Sequence, residues 1–236
     1  MKYILTFLIC FIIAFCTIRT TSPTRPKFAA FVRVKDEINT VIPCLNSIDG
    51  LFDKIVIIHS NEPDDGSVKE MHKWCKWRFY CHIYEYPHAV YPSHTTNQKT
   101  IPYENSLAAY YNFGLEKFKP EEYVIKIDAD QIYIHQHLKS TLDFIREQDL
   151  IDDFVSYGIK GYNTFSYHNK IVKYKKTPFN GGIDSFIIKR KYIKQFSNSR
   201  NFEEFKADNK IKKTCYWKSL TLVSLYENIE RQWKSS

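Results

Sequence analysis

Short apolar runs that alternate with segments of helical pattern restrict the folds open to this chain more than any other feature. Two of the runs, KIVIIHS at Lys54–Ser60 and YVIKIDAD at 123–130, are almost uniformly apolar until they end. Strands of a parallel sheet are buried on both faces, so they appear as continuous rather than alternating apolar runs. Strands separated by helices therefore predict an α/β fold, with a mostly parallel, Rossmann-like sheet flanked by helices.

The individual elements follow from the same pattern. We predict strands at 27–34, 54–60, 79–87 and 122–130, and helices within 35–52, 61–77, 104–118 and 138–148. The pattern becomes irregular after residue 150, where twisted strands and turns are expected. The last apolar segment, 215–233, predicts an amphipathic helix.

Length and charge bound the domain organisation and the partners. The chain has 236 residues, of which 44% are hydrophobic, enough for one domain with one core. We place that domain at 27–236. The formal net charge of +8 favours an acidic ligand or an anionic membrane surface. Signatures of helix-turn-helix, zinc-finger or RNA-binding modules are absent from the sequence, so a nucleic-acid partner is not expected.

An uncharged run at 3–18 predicts an N-terminal hydrophobic anchor at 1–20, followed by a linker at 21–26. The run is shorter than the roughly 20 residues of a comfortable span, and no small-residue cleavage site follows it. The positive charges of Arg19, Arg25 and Lys27 downstream place the main domain on the cytoplasmic side in a bacterium. In a eukaryote it would face the Golgi lumen. The alternative is a buried helix of the globular domain.

The six cysteines form no C-x-x-C pair. Their scattered positions favour reduced, partly buried thiols. Cys75 and Cys81 are close enough in sequence to form a bridge in an oxidising compartment.

Two carboxylates, Asp128 and Asp130, end the fourth predicted strand. Strand residues two apart project to the same side, and two nearby like charges raise each other's pKa. A cation between them would turn repulsion into attraction, and carboxylate oxygens suit Mg²⁺ or Mn²⁺. The pattern thus predicts a metal site, and the alternative is an exposed turn at the end of a strand.

The order of FVRVKDE, KIVIIHSNEPDDGS, SLAAYYNFGLEKF and YVIKIDADQIY resembles that of GT-A-fold glycosyltransferases. The resemblance covers roughly residues 28 to 190 and is nearest to the family 2 type and to bacterial surface-polysaccharide enzymes. It implies that Asp130 is the main ligand of Mn²⁺ or Mg²⁺, and that Asp128 contacts the ribose or a metal-bound water. Arg33 and Glu37 would contact the base and ribose. Asp65 would bind the nucleotide or only cap a helix.

The resemblance also implies a reaction. A sugar would pass from a nucleotide-diphosphate sugar to a glycan or lipid-linked acceptor, with inversion, and Asp184 after the Gly181–Gly182 turn would be the general base. The basic loop with Lys173, Lys175 and Lys176 would cover the diphosphate or would be a solvated surface loop.

Two rival functions are also compatible with the sequence. One is a phosphatase of the haloacid dehalogenase type, which also uses an Asp-x-Asp, but on the first strand of its core. The other is a membrane-tethered binding module that retains the fold without catalysis.

Overall fold

The computed structural model describes residues 25–92, 100–148, 155–167, 170–173, 179–180, 186–198, 203–207 and 213–226. Its helices are α1 (Val41–Ile48), α2 (Ser67–Cys75), α3 (Leu107–Leu115) and α4 (His135–Gln148). Short 3₁₀ turns lie at Tyr103–Asn105 and Arg190–Tyr192. The strands are β1 (Phe28–Arg33), β2 (Lys54–Ser60), β3 (Cys81–Tyr86), β4 (Tyr123–Asp128), β5 (Gln131–Tyr133), β6 (Val155–Tyr167), β7 (Lys170–Lys173), β8 (Phe179–Asn180), β9 (Phe186–Lys189), β10 (Ile193–Asn198), β11 (Glu203–Ala207) and β12 (Lys213–Tyr226).

Across the described residues, ten strands form one sheet with the order β3-β2-β1-β4-β9-β6-β12-β5, and β7 and β8 pair with β6. The first four strands of this order are parallel to one another. Beyond β4 the sheet is mixed, because β9 is antiparallel to both β4 and β6 while β12 is parallel to β6. The predicted parallel sheet is therefore confirmed for the half that contains β1 to β4, and the sheet as a whole is mixed.

The core has two layers, one on each face of the sheet. Phe28, Ala30 and Val32 of β1 are buried with residues of α1, α2 and α4. Ala29 and Phe31 point the other way and pack with residues of α3. This alternation is the period of a strand, and it explains why β1 is apolar at every position from 28 to 32.

Helix α3 lies very close to β1. An ideal Cβ added to Gly114 would come within 2.3 Å of the Phe31 ring. That ring is fully buried and contacts Tyr111 and Phe118. Glycine at this position thus sets the distance between helix and sheet.

Two predicted elements differ from the structure in instructive ways. The first helix begins at Val41 rather than near residue 35, and Pro43 lies in its first turn, where the missing N–H would have no partner within the helix. The predicted C-terminal helix is wrong over 215–226. That segment belongs to β12, which pairs with β6 and β5, and such long-range pairing overrides a local helical pattern.

The cysteines also differ from expectation. Cys75 and Cys81 form a disulfide, whereas Cys44 is free and buried. The scattered spacing favours reduced thiols, whereas the observed bridge is the alternative that the short separation of Cys75 and Cys81 allows. It joins the last residue of α2 to the first residue of β3.

The predicted anchor at 1–20 and most of the linker at 21–26 lie outside the described residues. Within the part of the chain that the structure describes, no helix has the length and apolar character needed to cross a bilayer.

Candidate active site

The carboxyl ends of β1, β2 and β4 meet at one edge of the sheet. Arg33 ends β1, Ser60 ends β2 and Asp128 ends β4. Arg33 is the register partner of Ile58 on one side and of Asp128 on the other. In open α/β sheets, ligands bind at this edge of the strands, so we place the candidate site here.

An ion-paired triad forms the centre of the site. Arg33 Nε donates to Asp128 Oδ1 at 2.7 Å, and Lys126 Nζ donates to Asp128 Oδ2 at 3.2 Å. Lys126 Nζ also lies 4.9 Å from the centroid of the Tyr111 ring on α3. Each oxygen of Asp128 thus has a cationic partner, and all three charged side chains are at least partly buried.

These contacts set the ionisation of the pair. Burial acts to raise the pKa of Asp128, but the charges and hydrogen bonds of Arg33 and Lys126 outweigh it and hold the pKa well below its usual range. The charge of Asp128 in turn raises the pKa of Arg33. Asp128 is therefore a fixed negative charge whose orientation depends on two cations.

Asp130 has a different environment. β4 ends at Asp128, and Ala129 and Asp130 form a turn before β5. The two carboxylates therefore do not lie on one strand, although the sequence predicted that they would. Burial, and next the charge of Asp128, raises the pKa of Asp130 to about 6. Its half-buried carboxylate makes no ion pair with any residue that the structure describes. Asp130 is thus the carboxylate available to a cation.

Glu37 lies in the loop after β1, and the charges of Asp128 and Asp130 affect its ionisation. Burial raises its pKa to about 7, with further contributions from Asp130 and Asp128, against a hydrogen bond from Thr40. That bond joins Thr40 Oγ1 to Glu37 Oε2 at 2.6 Å. The structure therefore brings Arg33 and Glu37 to the same edge of the sheet as the two aspartates.

Asp65 is occupied in holding two loops together. Its Oδ2 accepts from the backbone N–H of Ile38 at 2.9 Å, and its Oδ1 accepts from the backbone N–H of Ser67 at 3.1 Å and from the Ser67 hydroxyl. The Ser67 hydroxyl accepts in turn from the backbone N–H of Glu37 at 2.8 Å. These contacts favour the capping interpretation of Asp65 over direct nucleotide contact.

A shallow depression lies beside the triad, between the loops that follow β1 and β2. Lys35 Nζ and Glu62 Oε2 are 2.6 Å apart across it. The same Glu62 oxygen accepts from the Ser60 hydroxyl at 2.9 Å and from the backbone N–H of Val90 at 3.0 Å. The depression is thus lined by charged and hydroxyl groups of a kind that can bind a polar ligand.

Sequence reasoning missed Lys126 and Glu62. Lys126 interrupts an otherwise apolar strand two positions before Asp128, on the same strand face, and that signal was available. Glu62 carried no comparable signal, because its role depends on the fold bringing Lys35 and Val90 to it.

Other predicted site residues lie outside the described residues. Asp184 and the Gly181–Gly182 turn fall between β8 and β9, and Lys175 and Lys176 fall between β7 and β8.

The donor set at the edge fits a hard divalent cation held with few protein ligands. Mg²⁺ is commonly bound by one or two carboxylates plus substrate phosphates. Asp130 is unpaired and Asp128 is adjacent to it, and no group of three or more metal-binding side chains gathers within the described residues. The residues therefore suit a metal that arrives with a phosphate-bearing substrate rather than a closed protein cage.

Residues 10–182 match the sequence model of a family described as β-1,4-N-acetylgalactosaminyltransferase, CgtA. The chain belongs to the CgtA family. The resemblance to GT-A-like glycosyltransferases of bacterial surface-polysaccharide synthesis is confirmed.

Solved structures show the same fold at low sequence identity. The structure of Staphylococcus aureus TarS residues 1–349 in complex with UDP has a TM-score of 0.57 and 13% identity, covering 85% of this CgtA-family chain and 60% of that one. A second structure of TarS residues 1–349 has a TM-score of 0.55 and 13% identity, covering 84% of this chain and 60% of that one. The chain thus spans about 60% of the TarS chains that it matches.

No curated protein matches this CgtA-family sequence. Family membership nevertheless favours the glycosyltransferase over the phosphatase and the non-catalytic module.

Proposed function

We propose that this chain transfers N-acetylgalactosamine from its uridine-diphosphate derivative to a hydroxyl of a glycan or lipid-linked acceptor. The sugar follows from the name of the CgtA family, and the nucleotide follows from the UDP complex of TarS. The observation that carries the proposal is Asp130, which makes no ion pair with any described residue, beside the Arg33–Asp128 pair at the carboxyl edge of the sheet.

The residues at this edge divide the work of holding the donor. Asp130 would hold Mn²⁺ or Mg²⁺ together with the diphosphate, and Asp128 would meet the ribose or a metal-bound water. A bound divalent cation supplies charge neutralisation for the departing nucleoside diphosphate. Arg33 and Glu37 would contact the base and ribose, and Asp65 would support them by tying their loop to α2.

Acceptor activation requires another carboxylate. A sugar hydroxyl becomes an effective nucleophile when its proton is removed during attack, and we assign that role to Asp184. The reaction would then invert the anomeric carbon. Attachment to a membrane through the N-terminal segment completes the proposal.

The test is a donor screen on the full chain. Release of the nucleoside diphosphate should be faster from UDP-N-acetylgalactosamine than from UDP-galactose, UDP-N-acetylglucosamine or GDP-mannose. It should require Mn²⁺ or Mg²⁺ and should stop in excess EDTA. Asp143→Asn, at a surface aspartate of α4 paired with Lys139 and Arg146, is the matched control and should retain full activity.

Three outcomes would contradict the proposal. Undiminished UDP release in EDTA would show that the reaction needs no divalent metal. Preference for another donor would show that the assigned sugar is wrong. Donor binding without turnover, insensitive to metal and to Asp130→Asn, would show a binding module.

A further inference from the structure

The loop that joins α2 to β3 exposes the two most solvent-accessible large apolar side chains of the described residues. We call residues 75–81, CKWRFYC, the aromatic loop. The Trp77 side chain is 85% exposed and Phe79 is 92% exposed. Single exposed apolar residues are common, whereas exposed apolar side chains that cluster on the surface mark interaction sites.

The loop is held rigidly by its ends. A disulfide joins Cys75 to Cys81. The backbone N–H of Arg78 donates to the carbonyl of Cys75 at 2.8 Å, and the N–H of Cys81 donates to the carbonyl of Arg78 at 2.9 Å. The covalent closure and the two backbone bonds fix the turn on which the aromatic side chains stand.

Arg78, which lies between the two exposed aromatics, and Tyr80, which follows them, point inward. Arg78 Nη2 donates to Asp49 Oδ2 at 2.8 Å, and its guanidinium lies 3.9 Å from the centroid of the Trp74 ring. The Tyr80 hydroxyl donates to the same aspartate. Because Arg78 and Tyr80 attach the loop to the domain, the exposure of Trp77 and Phe79 is fixed by the fold. A rigid display lowers the entropy cost of binding.

The charge beside the aromatics is positive. Lys76 Nζ lies 5.2 Å from the centroid of the Trp77 ring. Lys76 is exposed and forms no ion pair with a described residue. Tryptophan with an adjacent lysine suits a membrane–water interface, where the ring lies at the headgroup level and the ammonium meets lipid phosphates.

The position of the loop also favours a membrane. Because β1, β2 and β3 are parallel, the start of β3 at Cys81 lies at the same edge of the sheet as the start of β1 at Phe28. Nine residues, 19–27, separate Phe28 from the uncharged run at 3–18, and they can span at most about 30 Å. A bilayer that holds that run is therefore within reach of the edge that carries the aromatic loop.

We propose that the aromatic loop is a second membrane contact, in which Trp77 and Phe79 enter the interfacial layer of an anionic lipid surface and Lys76 meets its phosphates. The candidate active site lies at the opposite edge of the sheet, so the loop is not part of the donor site. The proposal does not depend on which sugar is transferred.

The experiment uses the full chain and vesicles of phosphatidylcholine with phosphatidylglycerol, prepared with and without brominated acyl chains. Bromine quenches a tryptophan that enters the bilayer. The difference in quenching between the wild type and Trp77→Phe isolates Trp77 from the other tryptophans. We expect strong quenching of Trp77 in anionic vesicles, weaker quenching in pure phosphatidylcholine, and about a tenfold loss of binding to anionic vesicles at high salt.

A second pair of variants distinguishes insertion of the aromatic loop into the bilayer from attachment of the protein through another segment alone. Phe79→Ser should reduce the quenching of Trp77. Tyr103→Ser should not, because Tyr103, although an exposed aromatic with 57% accessibility, lies outside the aromatic loop, in the turn before α3. Both replaced side chains are exposed, so the thermal unfolding midpoints should match the wild type.

Unquenched Trp77 in brominated anionic vesicles would overturn the proposal, even if the protein remained bound through another segment. A shift of Trp77 emission on addition of soluble glycan but not vesicles would assign the loop to carbohydrate instead. A dimer that Phe79→Ser dissociates, with Trp77 unquenched, would assign it to a second copy. UDP release by Phe79→Ser reports separately on the proposed reaction and should equal that of the wild type.

Discussion

Arg33 Nε lies 2.7 Å from Asp128 Oδ1, and the two residues face each other at the carboxyl ends of neighbouring parallel strands. Lys126 holds the other oxygen of the same carboxylate. The Asp-x-Asp of this chain is therefore asymmetric. Its first aspartate is fixed by two cations, while its second makes no ion pair within the described residues. The two positions should respond differently to the same substitution.

Asp128→Asn should lower both stability and activity, since it leaves the partly buried cations of Arg33 and Lys126 without their partner. Removing one member of a buried pair costs about 3–5 kcal/mol, and partial exposure of Arg33, at 31%, reduces our expectation to about 2–3 kcal/mol. Chemical denaturation of the metal-free protein measures this change. An unfolding free energy equal to that of the wild type would show that the pair contributes nothing.

Asp130→Asn should remove activity without loss of stability. The carboxylate has no cationic partner among the described residues, and its raised pKa shows that the folded state disfavours its charge. The rate of UDP release should fall on the order of 10³-fold, since a site with few protein ligands loses one of them. The unfolding free energy, measured in EDTA, should equal or exceed that of the wild type, and a clear decrease would contradict the assignment.

Gly114→Ala should destabilise the fold by about 1–2 kcal/mol. Overpacking a core costs about 1–3 kcal/mol, and the better helix propensity of alanine returns up to about 1 kcal/mol. The added methyl would meet the Phe31 ring, which Tyr111 and Phe118 hold in place. Denaturant unfolding measures the change.

The double variant Phe31→Leu/Gly114→Ala is the control for that clash. Removing the ring makes room for the methyl, so the double variant should be less destabilised than the sum of the single variants. If the changes in unfolding free energy of the two single variants add up to that of the double variant, the added methyl does not clash with the Phe31 ring.

The Cys75–Cys81 disulfide should stabilise the fold. Closing a loop of this length restricts the unfolded chain by about 2 kcal/mol in the loop-entropy estimate. Cys75→Ser and Cys75→Ser/Cys81→Ser should therefore lose the same amount. Alkylation of the denatured, unreduced protein followed by mass measurement should leave both cysteines unmodified. A wild type whose unfolding is indifferent to reducing agent would refute the contribution.

Asp184→Asn should lower kcat for transfer by about 10²–10⁴-fold, the usual scale for loss of a general base. The affinity for the donor should be nearly unchanged, because the base acts on the acceptor. Steady-state kinetics with saturating donor and calorimetric UDP binding separate the two effects. Wild-type turnover, or loss of donor binding such as Asp130→Asn would cause, would rule out this role.

Local sequence determined much of this protein. The apolar runs at 54–60 and 123–128 predicted buried parallel strands, because a strand that is covered on both faces has apolar residues at almost every position. The Asp-x-Asp was singled out because ligands bind at the carboxyl ends of such strands, and Arg33 because of the family resemblance. Resemblance at that level was sufficient to identify a glycosyltransferase family.

Tertiary structure decided the rest. Residues 215–226 carry a helical pattern but form β12, because pairing with β6 and β5 satisfies their backbone groups. Asp128 and Asp130 look equivalent in sequence, yet Arg33, 95 residues away, and Lys126 partner only the first. Likewise, only the fold turns Arg78 inward to Asp49, 29 residues away. The physical reason is common to all three: a side chain's charge state, exposure and pairing depend on neighbours distant in sequence, which a local pattern does not encode.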